Sequence, residues 1–170
     1  MLCLFLATFC LFSVASAGAL QQVAMQADSP ISVAGGWSWK DCGKDSDAIK
    51  VKSIEVSPDP PQAGKDLTVT AIGTASETID DGALVEVTVK LGLIQLLKKE
   101  FDICDEARKA NASIQCPIEE GEHRVVQTVS LPKEIPPAKF KVHVEGWTAN
   151  EDDMLCLNLD IDFMNRLYNW

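Results

Sequence analysis

The chain has 170 residues, a formal net charge of −10 and a sequence pI near 4.6. That length supports one domain with a sizeable core but not comfortably two. The acidic balance argues against a nucleic-acid binder, which needs clustered Lys and Arg to displace phosphate counterions.

Residues 1–17, MLCLFLATFCLFSVASA, carry no charged side chain. An apolar run from Leu2 to Val14 is followed by Ala15 and Ala17, the small-residue pattern of a signal-peptidase site. A basic residue near the start is missing, but the run is too short for a membrane span, which needs about 20 residues. The segment therefore predicts a cleaved secretory signal, and no later stretch is apolar enough to span a bilayer. Residues 18–36 have small and polar residues without sustained periodicity and read as a flexible arm or propeptide. The folded domain is expected over 37–164, with a tail at 165–170.

Loss of the signal removes Cys3 and Cys10 and leaves Cys42, Cys104, Cys116 and Cys156. An even number in an oxidising compartment implies disulfides, with three pairings open. Cys104 and Cys116 are close enough for a local loop, and the spacing does not fit CxxC metal or redox chemistry. Asn111–Ala112–Ser113 is a glycosylation sequon, which places its loop in water.

From residue 48 onward the pattern is strands. Ala48–Ser57 is β-branched, with an alternation that slips near Ser53, as a bulge allows. The prolines of PDPPQAGKD force a turn. Leu67–Gly73 puts Leu67, Val69 and Ala71 on one side. In Ala83–Leu91, the residues Val85, Val87, Val89 and Leu91 alternate with polar ones. Further strands are expected at Arg124–Leu131, with Val125 and Val129, at Lys139–Gly146, with Phe140, Val142 and Val144, and at Met154–Phe163, with Leu155, Leu157, Leu159 and Ile161. Six or seven strands with little helix predict an all-β, immunoglobulin-like two-sheet sandwich.

The segment LGLIQLLKKEFDIC (91–104) fits both periods. Leu91, Ile94, Leu97 and Phe101 recur at helical spacing, while Val85 to Leu93 keeps a two-residue alternation. Gly92 costs a helix about 1 kcal/mol, so the expectation is a strand to about Leu93 that loosens into an apolar segment at one end of the sandwich, with room there for a single helical turn.

Catalytic signals are weak. The chain has no G-x-S-x-G, no H-E-x-x-H and no phosphate-binding glycine loop. His143 falls on the polar phase of its strand, and His123 is expected in a turn. Asp80–Asp81 and Asp152–Asp153 suit turns, and Asp45-Ser46-Asp47 is only a fragment of a calcium loop. No enzyme, metal or cofactor is expected.

The ordered set of a signal, Cys42, the Pro58–Val69 segment PDPPQAGKDLTV, the VKLGLIQLL run, Cys104, CPIEEG, LPKEIPPAKFKVHVEGWT and a final strand with Cys156 resembles the ML lipid-recognition domain. Within that family it looks most like the fungal phosphatidylglycerol/phosphatidylinositol transfer proteins, relatives of the Niemann–Pick type C sterol carrier. The resemblance covers about Trp37 to Phe163. It implies a sandwich whose sheets splay to hold a lipid, no catalytic residues, and disulfides Cys42–Cys156 and Cys104–Cys116. An additional short disulfide of the animal sterol carriers has no counterpart beside Cys42.

The resemblance further implies a monomeric carrier of a phospholipid or sterol, in the exterior or a vacuolar or lysosomal lumen, that touches membranes transiently. Its pocket residues would be Leu67, Val69, Val85, Val87, Val89, Leu91, Phe101, Val125, Val129, Phe140, Val142, Val144, Leu155, Leu157 and Leu159. Leu93, Ile94, Leu96 and Leu97 would form the mouth, and Lys98 and Lys99 beyond it would either meet anionic headgroups or stand as a solvated surface pair. The competing reading is a recognition module that presents a lipid or protein surface without transfer.

Overall fold

The computed structural model describes residues 31–32 and 36–164. Among these, β1 (Ile31–Ser32), β2 (Trp37–Asp41), β3 (Ile49–Ser57), β4 (Asp66–Ala75), β5 (Leu84–Leu91) and β6 (Ile94–Asp102) precede a short helix, α1 (Ile103–Lys109). After it come β7 (Gly121–Ser130), β8 (Lys139–Trp147) and β9 (Asp153–Asp162). The strands form two antiparallel sheets, a large one in the order β1-β2-β9-β8-β5-β6 and a small one in the order β3-β4-β7. The architecture is the expected all-β two-sheet sandwich. No helix of the described residues is long and apolar enough to cross a membrane.

Register explains why these sequences pair. In β3 the pairing with β4 shifts between Val51 and Ser53, where the sequence alternation falters. The shift keeps Ile49, Val51, Ile54 and Val56 opposite Ala75, Gly73, Ala71 and Val69, so one face stays apolar across the bulge. In the large sheet, Val85, Val87, Val89 and Leu91 lie beside Gly146, Val144, Val142 and Phe140, with Leu155, Leu157, Leu159 and Ile161 one strand further on.

Three segments differ from expectation. The run after Leu91 does not loosen; it turns at Gly92–Leu93 and returns as β6. Gly92 has φ +57°, a conformation that glycine adopts without steric cost. A register shift after Val89 then places Ile94 opposite Leu91 but Leu97 opposite Val89. Two same-face residues are therefore three apart, and a bulged strand imitates helical spacing.

The second difference is α1. Asp102 caps it, its side chain accepting from the Asp105 N–H at 2.8 Å, and Asp105 and Glu106 sit at the positive end of the helix dipole. The third is Ile31–Ser32, inside the expected arm, which pairs with Ser38 and Trp39 of β2. Apart from Gly36, the rest of the arm lies outside the described residues, as do the signal at 1–17 and the tail at 165–170.

Two disulfides, Cys42–Cys156 and Cys104–Cys116, brace the fold. The first ties the segment after β2 to β9, and the second anchors α1 to the loop before β7. The core concentrates toward α1, where Ala48, Ile79, Ala83 and Met154 are buried against Ile49, Val85, Ile103, Ile118 and Leu155. Toward the other end, Phe140 and Phe163 meet edge to face at 5.7 Å, with Trp37 and Trp39 buried on β2. Between these two packed regions the sheet faces are only half-buried.

Candidate functional site

The inward face of β4 narrows along the strand, from Leu67 and Val69 to Ala71, Gly73 and Ala75. Facing sheets stand about 10 Å apart, a gap that interdigitating side chains normally fill. Where β4 supplies only small side chains, a cavity of about 330 Å³ remains. Ile49 and Val51 line it from β3, Ala71, Gly73 and Ala75 from β4, and Leu155 and Leu157 from β9. Ile103 and Ala107 of α1, with Ala112, Ile114 and Ile118 of the following loop, close its end. The disulfide Cys104–Cys116 holds that closing segment in place.

The third wall is β7, through His123 and Val125. His123 was expected in a turn but stands within β7, opposite Gly73, and among the described residues it is the one ionisable side chain lining the cavity. Its Nε2–H donates to the Glu119 carbonyl at 2.6 Å. A carbonyl can only accept, so the neutral imidazole carries its proton on Nε2. His143 lies on the outer face of the large sheet, with Nδ1 2.8 Å from Asn158 Oδ1 and Nε2 3.1 Å from Glu145 Oε1. The two imidazoles thus stand on different sheets and share no site.

Of the anticipated pocket residues, Val125, Leu155 and Leu157 line this cavity. Val85, Val87, Val89 and Leu91 share their face with Phe140, Val142, Val144 and Leu159, continuing it away from α1. Leu67, Val69 and Val129 occupy the corresponding face of the small sheet. Leu67 and Phe140 are buried, whereas Val85, Val87, Val89, Val142, Val144, Leu157 and Leu159 are not fully covered. In a close-packed sandwich such central residues would be sealed.

The sandwich is open on one side. The small sheet contacts the large one where β3 packs on β9, and its other edge, β7, has no strand partner beyond β4 among the described residues. On β6, Ile94, Leu96 and Leu97 are 65%, 52% and 44% exposed, and Leu93 is fully exposed at the hairpin tip. Val125 and Val129 are exposed on β7, the edge strand of the small sheet. Phe101, partly buried, ends this row on β6 opposite Val85. Lys98 and Lys99 occupy opposite faces of β6, because adjacent strand residues alternate.

Sequence reasoning missed Ile49, Val51, Ala71, Gly73, Ala75, the α1 contacts and His123. The available signal was the two-residue taper from Leu67 to Ala75. Outside the cavity, Arg108 Nη1 and Nη2 bind Asp81 at 2.5 Å and Asp105 at 2.8 Å, fastening α1 to the turn before β5. That guanidinium holds the Asp105 carboxyl below its ordinary pKa. Asn111 is exposed just after α1 with φ +48°, which asparagine tolerates better than most residues. The described His/Cys/Asp/Glu groups close enough to share an ion are Cys42–His143–Cys156 and Asp81–Cys104–Cys116. Both include cysteines whose sulfurs are committed to disulfides.

The family model for the ML domain matches residues 36–163. A phosphatidylglycerol/phosphatidylinositol transfer protein of Cryptococcus neoformans var. neoformans serotype D is 58% identical over 139 residues, covering 82% of this chain and 77% of that protein. A protein of the same name from Mycosarcoma maydis is 44% identical over 158 residues, covering 85% and 82%. Among solved structures, a Niemann-Pick type C2 protein from the Japanese carpenter ant aligns with TM-score 0.57 at 17% identity, over 73% of this chain and 97% of that one. Chicken MD-1 complexed with lipid IVa aligns with TM-score 0.57 at 11% identity, over 78% and 94%. At these identities the two structures bear on the fold alone.

Proposed function

The chain belongs to the ML-domain family, and from that premise we propose that it is a lipid carrier that takes a phospholipid from one membrane and releases it at another. One observation carries the reading: an apolar cavity about 330 Å³ in volume, with half-buried sheet faces extending beyond it toward an open side. The names of its relatives point to phosphatidylglycerol and phosphatidylinositol as cargo, with sterol as the other candidate. An acyl chain moving from water into the cavity would gain about 0.8 kcal/mol per CH₂ buried. Lipid in a bilayer already enjoys that gain, so the cavity needs only to match it. Uptake and release are then close to balanced, and no bond is made or broken; the protein is no enzyme.

Leu93, Ile94, Leu96 and Leu97 form the lip that meets the membrane, and the pocket residues named from the sequence line the path inward. The carrier acts as a monomer of one domain over 37–164. It is made in the secretory pathway, where its disulfides form and Asn111 is glycosylated, and it works outside the cell or in a vacuolar lumen.

The test is to purify the protein from a eukaryotic secretory host, extract it, and identify bound lipid by mass spectrometry. Transfer of labelled phosphatidylglycerol between vesicles is measured in parallel. Stoichiometric lipid with transfer is expected. Lipid without transfer would favour a recognition module, and neither would overturn lipid carriage.

A further inference from the structure

We infer that Lys99 selects cargo by the net negative charge of its phosphodiester headgroup, an inference that rests on the lipid-carrier reading above. Lys99 pairs with Val87, Val87 with Val144, and Val144 with Leu157. Cross-strand partners share a face, and Leu157 lines the cavity. Lys99 therefore stands on the inward face, at the free edge of the large sheet, as a cation in a row of aliphatic neighbours.

Its environment differs from that of Lys98. Lys98 lies on the outer face with Nζ 2.9 Å from Glu86 Oε1, an ordinary surface ion pair. Lys99 Nζ instead sits 4.6 Å from the ring centroid of Phe101, also on the inward face. Among the described residues no carboxylate lies within ion-pairing distance of Lys99, although acidic side chains number 25 against 15 basic ones in the chain. The aromatic face steadies the ammonium without neutralising it, so its charge and its donors remain available at the open side.

A lipid whose chain follows the half-buried inward face outward from the cavity would bring its phosphate to the exposed edge where Lys99 stands. There an ammonium offers a compact charge with rotatable donors, suited to a phosphate oxygen. Phosphatidylglycerol and phosphatidylinositol have neutral hydroxyl groups beyond the phosphate and keep its full charge. Phosphatidylcholine brings its own cation, which cancels the headgroup charge and opposes Lys99. A sterol hydroxyl offers no charge. Because Lys99 is exposed, its preference should weaken as salt is added.

The experiment compares transfer of phosphatidylglycerol and phosphatidylcholine by the unaltered protein and by Lys99→Met, Lys99→Arg and Lys98→Met. Methionine keeps an unbranched stem against Phe101 while removing the charge. Lys99→Met should lower the preference for phosphatidylglycerol about five- to tenfold, in line with loss of one charge-assisted contact at an exposed site, while phosphatidylcholine transfer shows that the fold is kept. Lys99→Arg and Lys98→Met should retain the preference. An unchanged lipid ratio in Lys99→Met overturns the assignment, even though the protein still carries lipid. Excess inorganic phosphate distinguishes a lipid headgroup from a free anion: if it erases the preference through Lys99, the site is one for phosphate itself and the assignment to cargo falls. Failure of the unaltered protein to transfer either lipid overturns the carrier reading and this inference with it.

Discussion

Whether the space between the sheets is core or cavity turns on a few side chains, and two of them give opposite expectations. Ala71 lines the cavity, and its neighbours on that face of β4 are Val69 and Gly73. Ala71→Leu would put three further carbons into open space rather than into packed atoms. Its cost to the empty protein should stay below about 1 kcal/mol, since the added surface is apolar and meets little overpacking. Lipid loading, measured by mass spectrometry after purification, should fall severalfold. Gly146 is the contrary case. A Cβ built there would stand 2.7 Å from Met154 Cε, 3.2 Å from Leu155 Cγ and 3.2 Å from Val85 Cγ2. Met154 is fully buried, so its methyl would have to shift within the core to make room. Gly146→Ala should therefore lower stability by about 1–3 kcal/mol, read as a drop in the urea midpoint with an unchanged slope. If Ala71→Leu proved as damaging as Gly146→Ala, the cavity would be tighter than its walls indicate.

Among the elements, the β5–β6 hairpin carries the proposed lip for lipid uptake. Ile94 is 65% exposed, so charging it removes little burial; Ile94→Glu should change stability by less than about 0.5 kcal/mol. The same charge would have to enter the membrane interface during uptake, and vesicle transfer should slow severalfold. A melting temperature several degrees lower would return the segment to the core and remove it from the lip. This hairpin also marks the limit of what the sequence disclosed. Strands such as Leu84–Leu91 and Asp153–Asp162 were legible because their apolar residues alternate without interruption. In β6 the register shift after Val89 put Ile94 and Leu97 on one face three residues apart, which is the spacing of a helix. The helix that does exist, α1, has only seven residues, too few for periodicity to reveal, and is held by a disulfide and by Arg108 rather than by propensity. Most of the cavity lining was illegible for a related reason: of it, only Val125, Leu155 and Leu157 stood among the anticipated pocket residues. Large inward residues announce themselves by alternation, but the void comes from small ones, Ala71, Gly73 and Ala75, and an alanine in a sequence does not say whether anything faces it.

At the scale of the molecule, charge and pH decide where such a carrier can work. Asp105, Glu122 and Asp162 all have carboxyl pKa values lowered in the folded protein. The leading causes are hydrogen bonds from Arg108 to Asp105, from Lys52 to Glu122 and from the Met164 N–H to Asp162. A carboxyl whose pKa is depressed on folding adds stability above its unfolded pKa, near 4, and loses that contribution as pH falls through the folded value. Lys44 and Lys109 have raised values, through Asp153 and Glu106. Their contribution is complete below about pH 10 and fades as pH rises through the folded value. The two sets leave a plateau between them, and an acidic lumen near pH 5 lies on it. Falling pH also relaxes the repulsion within a chain of net charge −10 as it approaches its pI near 4.6, which supports the acidic end of the plateau. The melting temperature should therefore stay nearly level from about pH 9 to pH 5 and drop below about pH 4. Calorimetry across that range is the measurement. A fall already present between pH 7 and pH 5 would contradict the plateau. Transfer assayed across the plateau should keep its preference for anionic lipid down to pH 5, since the fold that holds the cavity keeps its stability there.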